Sequence, residues 1–497
     1  MLDAVSERIR CKDLRGKVTY AENAARLIQG GMSLGVCSDL LPFCRALEKE
    51  GRGGRDLQIH LWSGVAILQA DRILGKAGTI KRRIGQQTLL RKPINTRQVQ
   101  YLDTPLGSFY PAIRAGEFGP LDVAILEAVS ITEEGNLIPA YRLHDMPNFA
   151  RAADRVIVQV NTAYPMHFEG MHDVYIPGDP PKRKSIPISC VDDRAGTPYI
   201  PLDPGKISAI YFSDEPEPID ADDSVDKTSQ AIASHLLAFL REEVARGKLP
   251  PSLLPMEIGL GMIPTAVMKA FENSEFESLE FYSAVLNDGL LGLLARRKVR
   301  AASGTGFFLS PRGEKHLLEN LHEYHKKVVF RPVEIADCPE VIMRLGILAL
   351  NGAIEADIYG NVNSSHIMNG DIVSGVGGAV DFAMNAHLSA ILLPSTAKGG
   401  NISCIVPMTS HVDIPEHGVD LLVTEQGVAD LRGLVPEERA DKIIRLCAHP
   451  DYRPILREYF QRAMQEAGGH EPQLPDEALS FHRRFLKTGS MKLTGGK

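Results

Sequence analysis

The side chains best able to do chemistry are carboxylates at the ends of apolar runs. Glu355 and Asp357 in AIEADIYGN lie two apart, so on one strand face. Such a pair can act as acid and base, or can accept backbone N–H groups at a Gly360-Asn361 turn, which the spacing favours. Glu425 follows the apolar LLV run in the same way. The histidines are scattered, without an HExxH or triad-like grouping. His366, His411 and His417 are weaker candidates, better read as structural, and no metal site is expected. Three glycine clusters follow strand-like runs: GLGM (259–262), SGVGG (374–378) and KGGN (398–401). Glycine lets a backbone approach a ligand and aim its N–H groups at an anion. A shared pocket for a phosphate-bearing ligand is one reading, and ordinary turns are the other. Neither the dinucleotide fingerprint nor the Walker A pattern is present, so NAD and P-loop nucleotides are not indicated.

The elements that must carry these groups alternate between helix-like and strand-like segments. YAENAARLIQGG (20–31) has helical spacing and a Gly-Gly stop, and MSLGV follows as a strand. LDVAILEAV (121–129), RVIVQVN (155–161) and KISAIYF (206–212) have the β-branched, aliphatic composition of buried parallel strands. The acidic run SDEPEPIDADDSVD (213–226) reads as a linker or surface loop. A helix is expected from Lys227, with Ile232, Leu236, Leu240 and Val244 on one face, ending at Gly247. A second series of strands lies in 343–363, 386–394 and 418–427, and a last helix at 450–467 precedes a frayed tail. In EFYSAVLNDGLL (280–291) a strand runs to an Asn287-Asp288-Gly289 corner and a helix follows. The alternation predicts an α/β fold in two domains, 1–225 and 226–497.

Bulk properties bound the partners. The 497 residues are 44% hydrophobic and 24% charged, and the net charge is −7. That balance gives no reason to expect nucleic acid or an anionic membrane. No run is apolar enough to span a bilayer, and the first residues lack the apolar core of a secretory signal. Seven cysteines without a CxxC pair suggest reduced thiols. A cytoplasmic protein is expected.

Longer stretches carry a specific resemblance. LPPSLLPMEIGLGMIPTAVM, EADIYGNVNSSH, STAKGGNISCIVPMTSHVD, LLVTEQGVADLRGL and CAHPDYRPILREYF are similar to the acetyl-CoA hydrolase/CoA-transferase family, especially its acetate- and succinate-using class I transferases. The resemblance implies two related open α/β domains with the active site at their interface, usually in a homodimer. It implies acyl-CoA and a carboxylate as substrates, with no permanently bound cofactor. It further implies covalent catalysis by a glutamate that becomes an acyl anhydride and then a glutamyl-CoA thioester, beside backbone N–H groups that hold the oxyanion.

By the same resemblance that glutamate falls in a Tyr-Ser-Glu-Val motif, which here reads Tyr282-Ser283-Ala284-Val285. A methyl group cannot form an anhydride. Neighbouring family positions also differ: Ala336-Asp337 stands for Ser-Asn, Val380 for a glycine, and Met262 for an asparagine. GVCSDLLPF (35–43) replaces a glycine-rich loop and brings in Leu40. These accompanying changes favour natural divergence over an engineered Glu→Ala substitution in an ordinary transferase. Gly259, Leu260, Gly261, Gly378 and Lys398 match positions that, by the resemblance, bind CoA or form the oxyanion hole, and Met256, Glu257, Ile258 and Ser374 are further candidates for the CoA site. Asp337 is the expected general base, with Asp288, Glu257 and Glu425 as further acidic candidates. The expected function is acyl-CoA hydrolysis, or acyl exchange with a carboxylate or β-keto acid, without a glutamyl-CoA intermediate. The alternatives are an ordinary CoA-transferase with an engineered Ala284 and a non-catalytic CoA-binding subunit.

Overall fold

A computed structural model describes residues 2–86, 89–217 and 224–493. The chain divides into two compact units. The first comprises Met1–Ala221, Phe281–Leu294 and Val299–Leu345, and the second comprises Asp222–Glu280, Ala295–Lys298 and Gly346–Lys497.

The first unit is built on an eight-stranded sheet. Its order across the sheet is Val18–Thr19, Ile207–Ser213, Arg155–Asn161, Val123–Ala128, Ser33–Val36, Ile59–Trp62, Ile80–Ile84 and Gln100–Leu102. Every adjacent pair is parallel. All six residues of Val123–Ala128 are buried, as helices on both faces of a parallel sheet require. Chain order reverses at Ser33–Val36, which pairs with Ile59–Trp62 on one side and Val123–Ala128 on the other. Crevices at such reversals, beyond the carboxyl ends of the strands, are where open α/β sheets bind ligands. The unit also contains a parallel pair, Val299–Gly304 with Val328–Phe330.

The second unit carries Met256–Ile258, Leu348–Gly352, Leu388–Leu392 and Leu421–Thr424 side by side and parallel, closed by an antiparallel Gly427–Asp430. A smaller sheet joins Val362–Asn363, Glu355–Asp357 and Ile405–Val406. The helix Lys227–Ala245 begins where the sequence places it. Its Asp226 cap accepts the Ser229 N–H, Ile232, Leu236 and Leu240 are buried, and Gly247 follows at a φ of 70°. The α/β class and the parallel sheets thus agree with the sequence reading.

Three local readings change. Of the acidic stretch expected as a surface loop, Ser213 ends a strand and Glu217 is 4% exposed, while 218–223 lie outside the described residues. The tail expected to fray instead forms the helix Ser480–Thr488, and Met491 beyond it is buried. The corner expected at Asn287-Asp288-Gly289 falls earlier: Leu279–Tyr282 ends before Ser283, Leu286–Asn287 pairs with Phe307–Phe308, and Asp288 opens the helix Asp288–Ala295.

Candidate functional site

In the first unit, Ala284 follows the strand Leu279–Tyr282 and is partly exposed. Its backbone is held from the neighbouring loop. The Ala284 carbonyl accepts the Thr305 hydroxyl at 2.6 Å and the Thr305 N–H at 3.2 Å. Because the hydroxyl proton goes to that carbonyl, the His144 Nδ1, 2.8 Å from Thr305 Oγ1, is the donor to it. Burial, with Arg142 close by, drops His144 to about 3, so the ring is neutral. Its Nε2 is buried with no hydrogen-bond partner. The backbone at this position is thus hydrogen-bonded into the neighbouring loop although its side chain is bare.

Of the two acidic candidates in this unit, Asp288 is partly buried and Asp337 fully so. Asp288 takes the Ser310 hydroxyl at 2.7 Å and the Ser310 N–H at 3.0 Å. Ser310 in turn caps the helix Pro311–Glu319 by accepting the Gly313 N–H. Asp337 ends the short helix Val333–Ala336 and is 0% exposed. Direct contact with a substrate requires a surface that this side chain does not present in the structure.

A polar cluster not singled out in the sequence lies at the sheet's reversal. Ser38 and Asp39 follow Ser33–Val36, and Glu127 is next to last in Val123–Ala128. The Ser38 hydroxyl reaches Glu127 at 3.4 Å, and Asn161 Nδ2 donates to Glu127 at 2.8 Å. The Glu217 carboxylate accepts the N–H groups of Asp39 at 2.8 Å and Leu40 at 2.7 Å. Arg142 lies 3.6 Å from Glu217 and donates to its carbonyl. Burial pushes the Asp39, Glu127 and Glu217 carboxyls up, against the pull of Arg142 and hydrogen-bond donors. The available signal was Glu127 itself, a charge inside a strand otherwise fit for full burial.

In the second unit, four predicted groups share one edge by topology. Gly259–Leu260–Gly261 leave the strand Met256–Ile258. Ser395 and Lys398 follow Leu388–Leu392, and Glu425 follows Leu421–Thr424. Gly378 precedes the helix Ala379–Asn385, which leads into Leu388–Leu392. In parallel strands joined by such a crossover, these loops all lie at the carboxyl edge. Gly261, at a φ of 121°, adopts a conformation that only glycine takes readily, and Leu260 is 46% exposed.

Details distinguish these groups. Met256 and Ile258 are buried core. Glu257 accepts Asn351 Nδ2 at 3.0 Å, and burial raises it to about 8, so it is protonated at neutral pH. The Glu425 carboxylate accepts the Ser395 N–H at 2.8 Å, the Ser395 hydroxyl and the Gln426 amide. Burial raises Glu425, but these donors outweigh it and leave the group below its ordinary range. Ser374 donates its N–H to Ser365. Lys398, at a φ of 48°, places Nζ 4.9 Å over the Phe485 ring. The adjoining turn is clamped from far along the chain, since Met491 donates its N–H to Asn401 and its sulfur accepts the Ser403 N–H.

The other named residues are structural or lie elsewhere in the unit. Asp357 accepts the N–H groups of Tyr359, Gly360 and Asn361, the turn role the spacing favours. Glu355 is bound by His482 at 2.7 Å, Asn363 at 2.9 Å and Ser410 at 2.8 Å. His417 is exposed and meets Glu416.

Comparison with known proteins decides the family. The acetyl-CoA hydrolase/transferase N-terminal domain matches residues 4–211, and the C-terminal domain of the same family matches 313–460. The chain belongs to the acetyl-CoA hydrolase/transferase family. It is 41% identical over 496 residues to a succinyl-CoA:acetate CoA-transferase of Clostridium kluyveri, covering 98% of this chain and 92% of that one. It is 40% identical to an acetyl-CoA hydrolase of Schizosaccharomyces pombe, covering 83% and 82%. A propanoyl-CoA:succinate CoA transferase of Escherichia coli shares 38% identity over 90% and 91%. Among solved structures, RipA from Yersinia pestis superposes with a TM-score of 0.68 at 21% identity, covering 92% of this chain and 97% of that one. A 4-hydroxybutyrate CoA-transferase from Porphyromonas gingivalis does so at 0.64 and 20% identity, over 90% and 98%. The protein is an acyl-CoA-utilising enzyme of this family.

Proposed function

We propose that the protein attacks the thioester carbonyl of an acyl-CoA without forming a glutamyl-CoA intermediate. The outcome is hydrolysis to the free acid and CoA, or acyl exchange with a carboxylate or β-keto acid. The observation that carries the reading is Ala284. By the resemblance its position belongs to the attacking carboxylate, and its methyl can neither attack nor be acylated, while its backbone is fixed by Thr305. The retained glycines at 259, 261 and 378 support binding of CoA and an oxyanion through backbone N–H groups. Lys398 is read as the partner of a CoA phosphate or a substrate carboxylate. In hydrolysis, a water oxygen bonds to the carbonyl carbon, the C–S bond breaks, and the thiolate takes the water's proton through a base.

The test is trapping. Incubation of the protein with acyl-CoA followed by borohydride is expected to leave no reduced glutamyl side chain. A large gain of CoA exchange between acyl-CoA and acetate or succinate in Ala284→Glu would favour the ordinary-transferase alternative, and no gain would disfavour it. A trapped glutamyl thioester in the unmodified protein would overturn the reading. Asp337→Asn tests the buried acid: a fall in hydrolysis of about 100-fold or more with an unchanged melting temperature keeps Asp337 in the mechanism, and unchanged turnover removes it. Transfer through another carboxylate is the second reading, favoured by the 41% identity to a protein named as a CoA-transferase.

A further inference from the structure

We infer that His366, His411 and Asp413 form a binding site for one divalent first-row transition-metal ion, of the zinc type. One donor atom from each lies within 4.8 Å of the others. The two imidazole rings are 4.0 Å apart between centroids, and His411 Nε2 is 3.2 Å from Asp413 Oδ1. Two imidazoles and one carboxylate suit zinc, cobalt or nickel, whereas magnesium and calcium select oxygen donors.

Hydrogen bonds from neighbouring residues hold Asp413 and His366 in place. Asp413 accepts the backbone N–H groups of Ser364 at 2.6 Å and Ser365 at 2.9 Å through Oδ2, and donates its own N–H to Val362. The Ser365 hydroxyl is 2.7 Å from Asp413 Oδ1 and 2.7 Å from His366 Nδ1. A carboxylate only accepts, so the hydroxyl proton points to Asp413 and His366 Nδ1–H donates to the serine oxygen. That tautomer leaves the lone pair of His366 on Nε2, the ligating form. A hydrogen bond on the far ring nitrogen is the usual support of a ligating histidine. His366 is fixed further by its N–H to Asn363 Oδ1 at 3.0 Å. His411 is the adjustable member, with a side chain 41% exposed. Three protein ligands at a solvent-facing position leave room for water or an anion on the ion. Bound metal would clip the loop around residue 411 to the strand His366–Ile367.

The full-length protein, stripped with chelator and dialysed, is titrated with zinc chloride by calorimetry and with cobalt chloride by visible absorption. One equivalent is expected, with a cobalt spectrum of low coordination number. His366→Ala and His411→Ala are each expected to weaken binding at least 10-fold, and Ser365→Ala to weaken it about 10-fold while keeping all three ligands. His411 is exposed, so its variant decides the matter if His366→Ala fails to fold. A melting temperature raised by zinc in the parent but not in His411→Ala is the second readout. Absence of saturable binding by either metal overturns the inference. So does binding unchanged in the His366→Ala/His411→Ala double variant, which would place the ion elsewhere, for example at the exposed Cys190.

Discussion

Glu257 shows how much a single side chain can conceal from its sequence. In MEIGLG it reads as an ordinary acid beside a glycine turn, yet the strand Met256–Ile258 is buried throughout and holds its carboxyl at about 8. Between the unfolded value of about 4.3 and that folded value, the native state binds the extra proton, so this group's contribution to stability falls as pH rises. Glu257→Gln keeps the shape and removes the titration. Its melting temperature should match the parent near pH 5 and exceed it near pH 9, by stability on the order of a few kcal/mol. Equal melting curves at both values would show that Glu257 does not titrate with folding. Asp357 was legible at this scale, because Asp before Gly-Asn announces a turn. Glu217 was not. Composition marks its stretch as solvated, and only the backbone donors of residues 39 and 40, more than 170 positions away, explain its burial.

Elements explain why candidate acids became fixtures. Asp288 joins the start of its own helix to the cap of Pro311–Glu319 through Ser310. A Cβ on Gly313 would overlap the Asp288 carboxylate, whose two oxygens are already engaged. Alanine in a helix gains about 1 kcal/mol over glycine, but overpacking costs about 1–3 kcal/mol. The overlap wins, and Gly313→Ala should lower stability to denaturant by about 1 kcal/mol. A gain in stability would mean that Asp288 is free to move. Strand and helix positions were readable because buried parallel strands need unbroken apolar runs and helices need periodic ones. The corner after Tyr282 was misplaced by a few residues, since Asn-Asp-Gly chemistry suits a helix start as well as a turn.

At the scale of the molecule, the sequence conveyed two parallel-sheet units and a family, while the distant contacts within each unit appear only in the structure. His482, on the helix Ser480–Thr488, binds Glu355 at 2.7 Å, and both are almost fully buried. Burial raises Glu355, but His482, Asn363 and Ser410 outweigh it and leave it below its usual range. The stability this carboxylate gains from its partners is present above the unfolded value of about 4.3 and is lost as pH falls through the lower folded value. His482→Ala leaves the carboxylate buried with fewer donors, at a cost of about 3 kcal/mol. Acid unfolding followed by circular dichroism should then begin at a higher pH than in the parent; coincident transitions would deny the pair its role. Among the described residues, no helix is long and apolar enough to cross a membrane.

The clamp on the glycine turn after Lys398 bears on how the protein is made. Ser403 and the methionine sulfur that receives its N–H are 88 positions apart. A nascent chain thus carries the turn's residues before it has the methionine that pins them, and the clamp can close only once the residues in between have been made.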